Sequence, residues 1–208
     1  DLSVRLSKRL KKYDKKGEEH YNLISALHKS IRGSDPDAAL YWFARILDGG
    51  EAPRFIARRL LRMALEDVGL ADLQAQSICL HAWQSFERLG SPEGELALAQ
   101  AALYLSLAPK SNASYKGFNL SLDLVKKTGS EPPPKHILNA PTDLMKDQGY
   151  GAGYEYDHDS TDGFSGQNYF PDNIDRLSAY QPVERGFERE LKKRISYFKN
   201  LREKRKSN

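Results

Sequence analysis

The residues of this 208-residue chain whose types and spacing could do chemistry fall into a few short stretches. "YDHDSTDG" gathers Asp157, His158, Asp159 and Asp162, the residue types that hold a divalent cation. It fails the calcium-loop template, because Thr161 and Asp162 stand where an acid and the glycine belong and Asn168 replaces the closing Glu. "GYGAGY" has glycines at 149, 151 and 153, but Tyr154 stands where a dinucleotide-binding turn needs glycine, and no strand pattern precedes it. Both stretches read as solvated turns. The spacing G-x-x-x-x-G-K-[ST] occurs nowhere, which excludes a phosphate loop of that kind. Ser165 in "FSGQ" lacks the second glycine of a nucleophile elbow.

Cys79 and His81 are two apart on a helical pattern, so they point to different faces and cannot pair as nucleophile and base. Cys79 reads as a small core residue. His20 and His28 are too far apart for an i, i+4 metal pair, and His28 reads as packed or solvated. Asp35 and Asp37 in "GSDPDAALYW" read as a helix start: Ser34 or Asp35 caps, Pro36 needs no N–H partner there, and Asp37 sits in the first turn. "APKSNASYKGF" is the polar stretch with most to offer. Pro109 breaks the chain, Ser111 or Asn112 caps the next helix, and Lys110 and Lys116 flank a helix start of the kind that can hold a phosphate or carboxylate. The expectation is no catalytic, cofactor or metal residue in this chain.

The elements that position these residues are helices. Leu2, Leu6 and Leu10 predict a short first helix that Gly17 stops. From residue 18 to 127 the apolar period is helical almost throughout, giving six helices, with Phe118, Leu122 and Val125 marking the last. Pro36, Pro53 and Pro92 fall inside helix starts, Ser91 caps the third of these, and Pro109 follows a helix end. Residues 128–182 carry six prolines, six glycines and five tyrosines and predict an irregular arm with one short helix, Pro141 to about Gln148. The aromatic content of this arm predicts that it packs across helices. A final helix, roughly 184 to 205, aligns Phe187, Leu191, Ile195, Phe198 and Leu201.

Charge bounds the function further. The net charge is +4, but residues 1–17 hold seven Lys/Arg against two Asp and residues 186–208 hold nine against three Glu, leaving −7 between them. The basic ends can attract phosphate or an acidic partner, and the body is not a positive platform. No segment has the apolar length of a membrane span, no signal-peptide core opens the chain, and one cysteine excludes an internal disulfide. A soluble, cytoplasmic protein is expected, and the first residue, Asp instead of Met, suggests a piece of a longer chain.

Five ordered stretches, "KYDKKGEEHYNLISALHKSIRGSDPDAALYWFARIL", "RRLLRMALEDVGLAD", "GSPEGELALAQAALYLSLAPKSNASYKGF", "HILNAPTDLMKDQGYG" and "NYFPDNI", resemble the C-terminal region of the bacterial replication-associated recombination protein A family, also called MgsA. The resemblance spans nearly the whole chain. It implies an all-α, clamp-loader-collar-like oligomerisation domain over residues 18–208, preceded in residues 1–17 by the end of an AAA+ lid subdomain. It also implies a parent DNA-dependent AAA+ ATPase at stalled or damaged replication forks, associated with the nucleoid and with single-strand-binding protein. ATP and Mg would bind in the parent's core, not here. The implied partners are the AAA+ core of the same polypeptide and other copies of the chain, as a homotetramer. Tyr41, Trp42, Phe43, Leu103, Tyr104 and Leu107 are the candidate interface, because three consecutive aromatics cannot all face one core. The alternative is a DNA- or partner-binding module that uses the basic ends with Arg58, Arg59, Arg62, Lys110, Asn112 and Lys116.

Overall fold

The computed structural model describes the backbone of residues 2–206 and the side chains of residues 17–205. Among the described residues it is all-α, with eight α-helices and no strand. These are α1 (Leu2–Arg32), α2 (Pro36–Asp48), α3 (Pro53–Met63), α4 (Ala75–Leu89), α5 (Glu95–Leu107), α6 (Ala113–Thr128), α7 (Asp143–Asp147) and α8 (Glu188–Lys206). Contacts divide the chain into two compact units: Asp1–Tyr115 with Val183–Glu188, and Lys116–Pro182 with Arg189–Asn208.

In the first unit α5 is the central helix and packs against α1, α2, α3 and α4. The sequence "LALAQAALYLSL" explains this position, since a helix apolar around most of its circumference must be covered on several sides. Leu98, Ala101, Ala102 and Leu105 are buried with Leu27, Ile31, Ile46, Ile56, Leu60 and Cys79 in one core. Three helix starts follow from local chemistry. Asp35 caps α2 by accepting from the Ala38 N–H at 2.9 Å, with Pro36 at the first position; α3 begins on Pro53; and Ser111 Oγ accepts from the Ala113 N–H at 3.1 Å before α6.

Three boundaries differ from the expectation. Gly17 does not end a helix: α1 runs through it as one 31-residue helix. A lone glycine costs a helix only about 1 kcal/mol, and the packing of residues 24–31 against the core outweighs it. Helix α5 starts at Glu95 without a side-chain cap, so Ser91 and Pro92 belong to the preceding turn. Helix α8 starts at Glu188, four residues late, because Val183–Phe187 are held as a loop: Arg185 donates its Nε–H to the Lys110 carbonyl and the Phe187 N–H donates to the Ala71 carbonyl. Gly186 makes that loop possible. Its φ is +52°, and a Cβ there would lie 2.0 Å from the Ala71 carbonyl oxygen.

The second unit holds the irregular arm. Residues 135–137 and 157–159 form single 3-10 turns and α7 is capped by Thr142, as the short helix predicted for 141–148 requires. The arm packs on helices within this unit: Phe164 meets Phe198 of α8 with ring centroids 5.2 Å apart, Arg202 and Arg205 lie over the Phe164 ring, and Arg205 pairs with Asp162 at 2.6 Å. Ala179 and Tyr180 pass so close to α6 that a Cβ on Gly117 would sit 3.0 Å from the Ala179 carbonyl oxygen. The apolar residues of α6 face elsewhere. Phe118 is 65% exposed, Val125 62%, and Leu122 is exposed between them.

Candidate functional site

Charge chemistry in the first unit collects where α1 ends. After Met63 the chain of α3 widens into a five-residue π-turn, Ala64–Val68, which presents Glu66 and Asp67 together toward α1. Asp67 Oδ1 accepts from Arg32 Nε–H at 2.6 Å and Oδ2 meets His28 Nε2 at 2.5 Å. Arg32 Nη2 stands 2.9 Å from the same His28 nitrogen and 3.9 Å from Glu66 Oε1. His28 Nε2 cannot serve both neighbours as donor and acceptor, and its shorter contact to a carboxylate assigns it the proton. Burial opposes the charge on Asp67, but hydrogen bonds from His28 and Arg32 outweigh it and hold the carboxyl below the usual carboxylate range. The Arg32 guanidinium is raised in turn, first by its hydrogen bond to Asp67.

His28, Glu66 and Asp67 have the types and proximity of a metal-binding set, with ligand atoms within 4.8 Å of one another. Arg32 already occupies the place of the cation. Its guanidinium contacts all three, so these residues do not fit a bound divalent ion, Mg included.

Beside this cluster lies a cavity of about 390 Å³ lined by Arg32, Glu66, Asp67, Lys110, Asn112 and Arg185, among others. Lys110 is a C-terminal cap here: Nζ donates to the Ser106 and Ala108 carbonyls at 2.8 and 2.6 Å and to Ser34 Oγ at 3.2 Å. Burial pushes its ammonium below its ordinary value, with the charge of Asp67 opposing. The cavity wall is tied together by Ser111, whose N–H donates to the Asp67 carbonyl and whose hydroxyl donates to the fully buried Glu188.

Arg32 also lines a second, smaller recess. It has a volume of about 130 Å³ between α1 and Arg59 of α3. Thus Lys110 and Asn112 meet in the cavity, Arg59 stands in the recess, Arg58 and Arg62 lie exposed on α3 with Arg62 paired to Glu66, and Lys116 is exposed on α6. Lys29, Arg32 and Arg185, which complete these surfaces, carry no motif: Arg32 acts through Asp67, 35 residues away, and Arg185 through Lys110, 75 residues away. Of the six interface candidates, Phe43 is in the core at 4% exposure and Trp42 packs against it. Tyr104 is half-buried and donates its hydroxyl to Asp72 Oδ2 at 2.6 Å, while Leu103 is also half-buried. Tyr41 and Leu107 are exposed, at 55% and 71%.

Among the described residues an all-helical body carries an irregular arm, and its charged groups are largely engaged in ion pairs and caps; this is a helical module. The comparisons say of which protein class: residues 33–199 match the family described as MgsA AAA+ ATPase C terminal, and residues 1–32 match the one described as AAA C-terminal domain. The chain belongs to the MgsA C-terminal family of AAA+ ATPases. It is 51% identical over 203 residues to the replication-associated recombination protein A of Coxiella burnetii, covering 97% of this chain and 46% of that protein. Against the protein of the same name from Escherichia coli K12 the identity is 47%, over 89% of this chain and 42% of the relative. The ATPase WRNIP1 of Dictyostelium discoideum is 47% identical over 70% of this chain and 17% of its own length. The chain therefore spans less than half the length of these relatives. Among the described residues no helix is long and apolar enough to cross a membrane.

Proposed function

We propose that this chain is the self-association module of an AAA+ ATPase active in replication-associated recombination, and that it assembles as a homotetramer. The α6 stripe carries this reading. Phe118, Leu122 and Val125 recur at helical spacing, and all three are exposed, although other faces of the same helix are covered by the chain itself. A monomer rarely leaves aligned large apolar groups in water, and a second copy offering the same stripe covers both. Tyr41 and Leu107 supply further exposed apolar groups in the first unit.

The relatives' name, replication-associated recombination protein A, supports the recombination role. The parent protein binds ATP and Mg in a separate AAA+ core, acts on DNA at stalled or damaged forks in the cytoplasm, and meets single-strand-binding protein there. This piece holds copies of that core together.

Light scattering coupled to size exclusion tests the reading. The expected mass is four times the 23.6 kDa of the chain. A mass of one chain at roughly tens of micromolar, above the dissociation constants usual for obligate assemblies, overturns it.

A further inference from the structure

We infer that the recess between α1 and α3 is a binding site for one phosphate of a nucleic-acid strand. Tyr21, Ser25, His28, Lys29 and Arg32 lie on one face of α1, and Arg59 closes the recess from α3 over the buried side chain of Ile24. Every polar side chain in this lining is a hydrogen-bond donor or can be one, and no carboxylate is among them. That is exceptional in a body whose net charge between the basic ends is −7. The acids paired with Arg32, Glu66 and Asp67, line the larger cavity and not the recess.

The charges in the recess are available. Arg32 is held by Asp67, but among the described residues Lys29 and Arg59 form no ion pair, in contrast to Arg54 with Glu87 and Arg62 with Glu66. An unpaired guanidinium, an ammonium and two hydroxyls in the lining of one recess are donors of the kind that a tetrahedral oxyanion takes several at once. The recess is small, about 130 Å³, and has room for a phosphoryl group. The surroundings favour a strand over a free ion. Arg58 stands exposed on α3 next to Arg59 in the sequence and adds a positive charge beside the recess. Because residues 1–32 and 33–199 match two different families, a phosphate held by Lys29 and Arg59 would bridge the two segments.

The test uses the full 208-residue chain, a fluorescein-labelled oligothymidylate and anisotropy over a range of salt. Arg59→Glu and Lys29→Glu should each weaken binding by about tenfold and flatten the salt slope by about one charge, whereas Lys199→Glu on α8, an equal change of charge, should do neither. Arg59→Gln, milder for folding, should weaken binding in the same direction, with helicity and scattering mass unchanged. Since the mass is read separately, this result stands or falls independently of the self-association reading. Inorganic phosphate is titrated at constant ionic strength as the second arm. The inference is overturned if Arg59→Glu and Lys199→Glu weaken binding equally, or if phosphate shifts the Arg59 side-chain resonances while Arg59→Glu leaves oligothymidylate affinity unchanged, which would mark a free-anion site.

Discussion

Arg32, the last residue of α1, and Asp67, in the π-turn after α3, are joined by a 2.6 Å charge-assisted hydrogen bond. The bond has consequences on both sides, because Asp67 Oδ2 also meets His28 and the Asp67 carbonyl accepts from Ser111. One buried aspartate thereby ties α1, the π-turn and the loop before α6 into one unit.

Asp67→Asn should destabilise the protein by about 1–3 kcal/mol, the usual cost of removing one partner from a buried hydrogen-bonded pair. The pH dependence follows from the sign of the shift. The carboxyl is held below its ordinary value in the folded state, so its contribution is fully present above the unfolded value, near pH 4, and is lost as pH falls through the folded value. Denaturant melts at pH 7 and below pH 4 check this: the gap between wild type and Asp67→Asn should narrow in acid, and a constant gap would remove the ionised aspartate from the account.

Gly186→Ala tests the loop of residues 183–187. An alanine methyl would fall 2.0 Å from the Ala71 carbonyl oxygen and 2.7 Å from Pro109 Cγ, on a backbone with φ of +52°. The neighbours are backbone and a ring, so neither can give way cheaply. A loss of roughly 2–4 kcal/mol is expected, and Gly117→Ala, whose closest contact is 3.0 Å, should cost less. Equal melting temperatures for wild type and Gly186→Ala would show the loop is not held as described.

Tyr104 provides a spectroscopic check. Its hydrogen bond to Asp72, aided by burial, raises the phenol to about 12. A raised value means that the bond stabilises the fold fully below the unfolded value, near pH 10, and ceases to do so as pH rises through about 12. In an ultraviolet titration, the Tyr104→Phe difference should locate one phenolate that appears late. Replacement should cost about 1 kcal/mol at neutral pH. A Tyr104 that titrates near pH 10 would contradict the bond.

The helices were legible in the sequence because each is written in local terms. Proline at the starts of α2 and α3, the Asp35 and Ser111 caps, and the largely apolar surface of α5 act within a few residues, and the structure follows them. The arm was legible from its Pro, Gly and Tyr content. What the period could not say was which apolar stripe faces inward. Residues 118, 122 and 125 have the spacing of a core face, yet they are exposed, because the segment at 179–180 settles on another face of α6. Likewise His28 looked like an isolated histidine, and its partner Asp67 lies 39 residues away in a π-turn that no composition signals. Gly17 misled for the converse reason, since a local breaker yielded to packing further along α1.

The α6 stripe gives the most direct mutational test of assembly. Leu122→Glu places a charge between Phe118 and Val125 on a face that is already exposed within one chain, so it should leave the fold of that chain intact. If the stripe is an interface between copies, the same charge is buried without a partner in the assembly and costs several kcal/mol per contact, about a hundredfold or more in association. The two consequences separate cleanly. Scattering mass should fall towards that of a single chain, while the thermal melt of the diluted protein should change by less than about 0.5 kcal/mol, as for an ordinary surface substitution. A parallel change at Lys126, exposed on the same helix but paired with Asp123, should leave the mass unaltered. Retention of the wild-type mass by Leu122→Glu would remove α6 from the interface and leave Tyr41 and Leu107 as the exposed apolar groups to be tested next.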